Sequence, residues 1–286
     1  MLCALAAAPT LAQSARPLRV VASFSILADI VRNVGGDDVE VAALVGPGAD
    51  AHVFQPSPAD ALRLAQAQLV LINGLGFEGW LDRLVSASGY RGPVVVASKG
   101  IAARLRGSEP DPHAWQDLSN AVRYAENVRD ALSLARPAST AHFEQRAAIY
   151  IQQFQALDDK VRARFFAVSK DSRKIITSHG AFGYFGAAYG VEFLAPQGMS
   201  TDSEASAAVV ARLIDQIRHQ DVRAIFVENI TDPRLVERIA REGGAAVGGR
   251  LYSDALSPPG TEADTYLKLF AHNALTITSA LSAGQH

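Results

Sequence analysis

A shortage of cysteine limits what can hold this chain together. Its 286 residues include one cysteine, Cys3. A single thiol excludes an intramolecular disulfide and a thiolate zinc site, so the fold must depend on burial of apolar side chains. Any metal site must therefore use nitrogen and oxygen ligands.

The chain also lacks an excess of charge and a membrane-length apolar run. Its formal net charge is -2, and no run of like charge forms a basic or acidic tail. We therefore predict no nucleic-acid partner and no lipid-binding face. No segment approaches the 18 consecutive apolar residues of a membrane span. The expectation is a soluble mature protein.

Common catalytic motifs are missing as well. The sequence contains no H-E-x-x-H, no G-x-S-x-G and no P-loop. Residues 74–79 (GLGFEG) match the dinucleotide-binding pattern G-x-G-x-x-G after a predicted strand. That pattern needs an acidic residue about 20 positions later, where the chain has Ala97-Ser98-Lys99. We interpret the glycines as a tight strand-to-helix turn and predict no enzyme activity.

The N-terminal residues resemble the remnant of an export signal. Residues 1–15 are small and apolar, and Ala12-Gln13-Ser14 is similar to a small-x-small cleavage pattern. The alternative is a disordered terminus, because a basic region is missing. Only two residues precede Cys3, so we expect a plain terminal residue rather than a site of lipid attachment. The prediction is an exported, periplasmic protein.

Two parts of the chain show the same alternation of β-branched runs and amphipathic stretches. Such alternation predicts an α/β fold with parallel strands. The predicted strands are 19–24, 39–45, 69–72 and 94–97, then 174–177, 191–194, 224–227 and 245–251. We expect two similar lobes, each with a mostly parallel four-stranded sheet flanked by helices.

A long helical pattern separates the two parts. Apolar residues recur at spacings of three and four from Phe143 to Val168, without glycine or proline. About 30 residues give a helix of roughly 45 Å, long enough to join both lobes; the alternative is a surface helix of one domain. The predicted division is an N-terminal lobe 16–136, a linking helix 137–169 and a C-terminal lobe 170–286.

Three histidines and one aspartate lie in separate polar loops, each beyond a predicted strand: His52, His113, His179 and Asp254. Ligands of parallel α/β sheets bind beyond the carboxyl ends of the strands, where loops converge. We therefore expect each lobe to contribute two side chains to a shared cleft. Three neutral imidazoles and one carboxylate fill a tetrahedron around zinc and leave no position for a reactive water. This set predicts capture of a metal, with no catalytic residue.

Other titratable residues are weaker candidates. Glu204 and Glu228 are candidates for orienting an imidazole, the alternatives being a helix N-terminal charge and a strand-end residue. The remaining histidines are predicted to be surface or packing residues: His142, His219, His272 and His286.

Five parts of the sequence carry a recognisable pattern. They are 21–24 (VASF) with 30–31, 50–58 (DAHVFQPSP), 73–80 (NGLGFEGW), 111–115 (DPHAW) and 177–185 (TSHGAFGYF). In this order and spacing they resemble the extracytoplasmic metal-binding receptors of ABC importers, the zinc and manganese group called ZnuA/TroA-like. The resemblance implies two α/β lobes joined by one long helix, a metal buried in the cleft, and delivery to a membrane permease.

The resemblance also assigns the metal. It places the ligands on His52, His113, His179 and Asp254; manganese receptors of this group typically carry a glutamate at the third position. A nitrogen-rich set suits zinc, so His179 implies Zn²⁺ as the transported ligand. The alternatives are a manganese or iron receptor and a metal-dependent adhesin; a zinc hydrolase is the least favoured. A periplasmic zinc chaperone as donor and a monomeric state are further expectations.

One segment departs from the family pattern. Many zinc receptors carry a long histidine-rich or acidic loop ahead of the second ligand, whereas residues 102–110 (AARLRGSEP) are few and contain no histidine. A zinc-gathering role for this loop is therefore not expected. The internal disulfide of several relatives is also missing, and neither departure touches the four ligand positions.

Overall fold

The computed structural model describes residues 16–219, 222 and 224–283, so the predicted signal remnant and His286 lie outside it. Within this part of the chain, no helix is long and apolar enough to cross a membrane. The fold consists of two four-stranded parallel sheets with helices packed around them. This confirms the predicted α/β class.

Four parallel strands form the first sheet: β1 (Leu18–Phe24), β2 (Val39–Val45), β3 (Leu69–Ile72) and β4 (Val94–Val96). Their order is β2-β1-β3-β4. Every residue of β1 except Arg19 is buried, as expected for an inner parallel strand with helices on both faces. The helices of this half are α1 (Ser25–Gly35), α2 (Pro58–Gln66), α3 (Leu81–Ser88) and α4 (Leu118–Ala135).

The start of α2 shows why the chain turns into a helix soon after His52. The Ser57 hydroxyl accepts the backbone N–H of Asp60, and the Asp60 carboxylate accepts the backbone N–H of Ser57 at 2.8 Å. This reciprocal capping box satisfies two backbone donors that the helix leaves unpaired, and Pro58 supplies a preset φ for the first turn. The loop that carries His52 is therefore fixed at its C-terminal end, where α2 begins.

A short hairpin lies where only a loop was predicted. Strands β5 (Leu105–Arg106) and β6 (Glu109–Pro110) pair antiparallel, with Arg106 opposite Glu109. Strands of two residues are too short to show an alternating apolar pattern, so the sequence did not predict them. The hairpin leads directly to the loop that carries His113.

The helix between the two halves is α5 (Thr140–Phe166), 27 residues or about 40 Å long. It is shorter than the predicted 137–169 at both ends, because Pro137–Ser139 forms a separate 3-10 turn and the helix ends at Phe166. The described helix buries the aromatic and aliphatic stripe seen in the sequence: Phe143, Ala147, Tyr150, Phe154, Val161 and Phe165.

The second sheet repeats the design of the first. Its strands are β7 (Lys174–Ile176), β8 (Glu192–Leu194), β9 (Ala224–Glu228) and β10 (Val247–Leu251), in the order β10-β9-β7-β8 and all parallel. The accompanying helices are α6 (Gly183–Tyr189), α7 (Ala207–His219), α8 (Arg234–Gly243) and α9 (Tyr266–Ala283).

Helix α5 packs against elements of both halves. It contacts α1 and α4 beside the first sheet, and α6 and α9 beside the second. A buried polar contact strengthens this junction, because the Asp29 carboxylate on α1 accepts hydrogen bonds from Tyr150 on α5 and from the N–H of Tyr266 on α9. The lobe boundaries at 136, 137–169 and 170 stay a prediction.

Candidate metal centre

The loop after β2 holds His52 by short backbone hydrogen bonds. The His52 N–H donates to the Asp50 carboxylate at 2.9 Å, and the Trp80 indole N–H donates to the Ala51 carbonyl at 2.8 Å. The Asp50 carboxylate also accepts the hydroxyl of Thr201, which belongs to the other half of the chain. This loop is therefore anchored to both halves of the chain.

His113 is oriented by a carboxylate two residues earlier. Asp111 Oδ1 accepts the His113 backbone N–H at 3.0 Å and lies 2.8 Å from the ring Nδ1. A proton on Nδ1 leaves Nε2 with a free lone pair directed away from Asp111. Asn73 supports the same loop by donating to the Pro112 carbonyl at 2.9 Å.

His179 follows β7 and is held at two points by Glu228, the last residue of β9. Glu228 Oε1 accepts the His179 backbone N–H at 2.8 Å, and Oε2 lies 2.6 Å from Nδ1. Both side chains are fully buried. Of the two candidate orienting carboxylates, Glu228 therefore contacts an imidazole, whereas Glu204 is exposed in the loop before α7.

Asp254 lies beyond β10 and is placed by its neighbours. The Ser253 carbonyl accepts hydrogen bonds from the Trp115 indole at 2.9 Å and the Gln116 amide at 2.7 Å. Asn273 on α9 pairs with both the N–H and the carbonyl of Tyr252. Trp115 and Gln116, which follow His113 in the first half of the chain, therefore hold the segment that precedes Asp254 in the second half.

The four predicted residues converge on one point. Their nearest nitrogen and oxygen atoms all lie within 4.8 Å of one another. His52 Nε2 is 3.2 Å from Asp254 Oδ2 and 3.3 Å from His113 Nε2, and His179 Nε2 is 3.1 Å from Asp254 Oδ2. A tetrahedron around zinc with bonds of about 2.0–2.1 Å has edges of roughly 3.3–3.4 Å. The shorter separations in the cluster therefore have the size of a zinc coordination shell.

The cluster is closed to solvent. The side chains of His113, His179 and Asp254 are 0% exposed, and that of His52 is 5% exposed. The rings of Phe77 and Trp115 border His113, and Phe77 also borders His52. Low polarity around such a site strengthens the attraction between a cation and its ligands.

Buried charges shift the pKa values of the cluster. Burial by itself would lower the pKa of His179, but the carboxylates of Glu228 and Asp254 raise that pKa well above its usual value. Burial would raise the pKa of Asp254, but the neighbouring His179 and His113 side chains hold that pKa well below its usual value. In the metal-free cluster the two carboxylates favour the protonated form of His179, so a metal competes with a proton for this imidazole.

The other predicted residues lie elsewhere. His142 on α5 is 3.2 Å from Asp38, and His272 on α9 lies 3.0 Å from the Arg250 carbonyl; neither belongs to the cluster. His219 is exposed at the end of α7. Asp111 is a residue that the sequence reasoning missed. The repeated Asp-x-His pattern at 50–52 and 111–113 is the signal that could have revealed it.

The glycine-rich segment 74–79 forms the turn between β3 and α3, and Glu78 occupies its interior. The Glu78 carboxylate accepts the N–H groups of Asn73 and Gly74 at 2.6 and 3.1 Å and the Ser23 hydroxyl at 2.6 Å. In a dinucleotide site such backbone donors face a pyrophosphate. Here a carboxylate of the chain itself satisfies them, which agrees with the interpretation as a structural turn.

Two α/β halves that enclose a buried side-chain cluster define the class of two-lobed solute-binding proteins. Within that class, residues 20–280 match the model of the family described as "Zinc-uptake complex component A periplasmic". The chain therefore belongs to this family of metal-binding, substrate-binding proteins of ABC transporters, which are not enzymes.

Individual relatives divide between two metals. The chain is 36% identical over 280 residues to the "Zinc-binding protein TroA" of Treponema pallidum, covering 95% of this chain and 91% of the relative. It is 33% identical over 274 residues to the "Manganese-binding lipoprotein MntA" of Bacillus subtilis, covering 92% and 90%. The "Manganese ABC transporter substrate-binding lipoprotein PsaA" of Streptococcus pneumoniae is 29% identical over 280 residues, with 94% and 90% covered.

The fold agrees with a solved structure of the first relative. The structure of the periplasmic zinc-binding protein TroA from Treponema pallidum superposes with a TM-score of 0.88 at 35% identity, covering 93% of this chain and 99% of that one. This likeness extends over both sheets and the helix between them. It confirms the predicted architecture of two parallel four-stranded sheets flanked by helices.

Proposed function

We propose that this protein binds Zn²⁺ outside the cytoplasm through His52, His113, His179 and Asp254 and delivers it to the membrane permease of an ABC importer. The observation that carries the proposal is the closed cluster of three imidazoles and one carboxylate, with nearest separations of 3.1–3.3 Å. Its composition matches a four-coordinate zinc shell, and its shorter separations have the size of one.

The closed shell favours transport over catalysis. A hydrolytic zinc site keeps one position open for water, whereas here four protein groups face one centre and all are buried or nearly so. A carrier must hold its cargo away from solvent and then release it. Acid supplies one means of release, because a proton competes with the metal for the His179 imidazole.

Zinc is preferred to manganese on ligand chemistry. Manganese suits carboxylate and water oxygens, whereas three imidazole nitrogens suit zinc. The relatives named for manganese support the alternative that this chain binds Mn²⁺. Because a site of this kind also binds copper or nickel strongly in vitro, affinity alone does not identify the physiological metal.

The decisive experiment measures which metal the protein acquires. Protein purified from the periplasm without added metal should contain zinc by elemental analysis, and Zn²⁺ should displace Mn²⁺ in competition. Dominant manganese would contradict the zinc assignment and leave the transport function intact.

Two double variants test the site itself. The substitutions His52→Ala and His113→Ala together should abolish high-affinity zinc binding. His142→Ala with His272→Ala is the matched control, since both residues lie outside the cluster, and it should bind zinc like the parent. Equal zinc affinity of the two double variants would disprove the ligand assignment.

A further inference from the structure

A cavity opens beside the cluster, between the β5–β6 hairpin and helix α7. It has a volume of about 400 Å³ and is lined by residues of both halves. Arg104 and Arg106 come from the hairpin region, and Arg212 and Gln216 come from one face of α7. His179 and Gly180 form part of its floor. A cavity of this size accommodates a small molecule.

Glycines position two of the guanidinium groups on this floor. A Cβ atom at Gly180 would collide with Arg106 Nη1, so the absence of a side chain lets the guanidinium lie on the backbone next to His179. A Cβ at Gly183 would lie 3.4 Å from Arg104 Nε. Arg104 also lies over the Tyr184 ring, with 5.7 Å from Cζ to the ring centroid. Arg104 and Arg106 both line the cavity.

Positively charged side chains outnumber negatively charged ones in the lining of this cavity. Within the described part of the chain, none of the three arginines forms an ion pair with a carboxylate, and Glu109, the register partner of Arg106, does not line the cavity. The one acidic residue in the lining, Asp111, is buried; its Oδ1 lies 2.8 Å from His113 Nδ1, and its Oδ2 lies on the Arg104 side and offsets part of the positive charge. Three cationic side chains in one concave site attract and concentrate anions.

We propose that this cavity binds a small organic anion with two or more carboxylates, held by Arg104, Arg106 and Arg212. A guanidinium presents a planar pair of N–H donors that matches a carboxylate in a bidentate geometry. Guanidinium groups from two sides of the cavity suit an anion with carboxylates at both ends. The Gln216 amide adds a neutral donor on the same face of α7 as Arg212.

Calorimetric titration of the metal-free protein tests the proposal. The metal is removed on a chelating resin, because EDTA is itself a polycarboxylate. Citrate and malonate should bind with one-to-one stoichiometry, and the affinity should fall as sodium chloride is raised. Arg106→Gln and Arg212→Gln should each weaken binding by roughly tenfold or more, since each removes a charged hydrogen-bond donor.

Arg123→Gln is the matched control, because Arg123 is exposed on α4 and pairs with Glu126 away from the cavity. It should bind citrate like the parent. The proposal is overturned if neither carboxylate binds, if the Arg106→Gln, Arg212→Gln double variant binds as tightly as the parent, or if inorganic phosphate binds and the carboxylates do not. Because the protein is metal-free in these titrations, their result does not depend on the zinc assignment.

Discussion

Glu228 contacts His179 at two points, accepting its backbone N–H through Oε1 at 2.8 Å and placing Oε2 2.6 Å from the ring Nδ1. The imidazole is therefore fixed in position and rotation, with Nε2 directed at Asp254, 3.1 Å away. Carboxylates that orient a metal-binding histidine in this way raise its basicity and define its tautomer.

Glu228→Gln should weaken zinc binding by roughly 10–100-fold, because the amide can hold the backbone N–H but cannot supply the charge that polarises His179. Competition titration with a chromophoric chelator measures the affinity. Glu192→Gln in the same sheet is the control, since Glu192 is exposed and pairs with Lys174. Unchanged affinity in Glu228→Gln would show that the carboxylate has no role in metal binding.

Asp111→Asn should weaken zinc binding more than Asp50→Asn does. Both aspartates accept the backbone N–H of the histidine two residues later, but only Asp111 reaches an imidazole, 2.8 Å from His113 Nδ1. The expected loss is roughly tenfold or more for Asp111→Asn. The same competition titration compares the two variants, and an equal or larger loss in Asp50→Asn would contradict the assigned role of Asp111.

Zinc binding should release a proton at neutral pH. Because the pKa of His179 is raised, the folded metal-free chain should keep a proton on this imidazole at neutral pH. The unfolded chain binds that proton only below about pH 6.5. The stability that this bound proton adds to the folded state is fully present below about pH 6.5 and is lost as the pH rises through the pKa of His179 in the folded chain. Zinc affinity should therefore increase with pH through the same window, above the usual range of histidine.

Calorimetry in two buffers of different ionisation enthalpy measures that proton release. Glu228→Gln removes one of the two carboxylates that raise the His179 pKa. The pH range over which zinc affinity rises should therefore move to lower pH in this variant. A variant that merely loosened the fold would not shift this window. Proton-independent zinc binding at neutral pH would contradict the assigned protonation of His179.

Gln116→Ala should speed the release of zinc. Gln116 donates to the Ser253 carbonyl at 2.7 Å and is fully buried, so its loss weakens the hold of the His113 segment on the Asp254 segment. A buried hydrogen bond contributes about 1–2 kcal/mol, which corresponds to roughly a 5–30-fold faster dissociation. Stopped-flow mixing of zinc-loaded protein with excess chelator measures the rate.

Gln153→Ala is the control for this variant, because Gln153 is exposed on α5. Circular dichroism should show that both variants fold. If Gln116→Ala released zinc at the parent rate, the hydrogen bonds across the two halves would not contribute to retention of the metal.

The sequence itself determined the architecture and the residue types of the site. The two alternating patterns and the apolar stripe of α5 predicted the sheets and the helix that the structure shows, because these signals are local and periodic. The loops after parallel strands placed His52, His113, His179 and Asp254 at one edge of each sheet. Resemblance to a family then selected these four among many polar loop residues.

Only the tertiary structure decided how these side chains are oriented. Glu228 is 49 residues from His179, and Gln116 is 137 residues from Ser253, so no local pattern joins them. The hairpin that brings Arg106 onto Gly180 is likewise too short to predict. Such contacts form when separate strands end side by side, and their energy depends on distances of a few ångströms that sequence spacing does not specify.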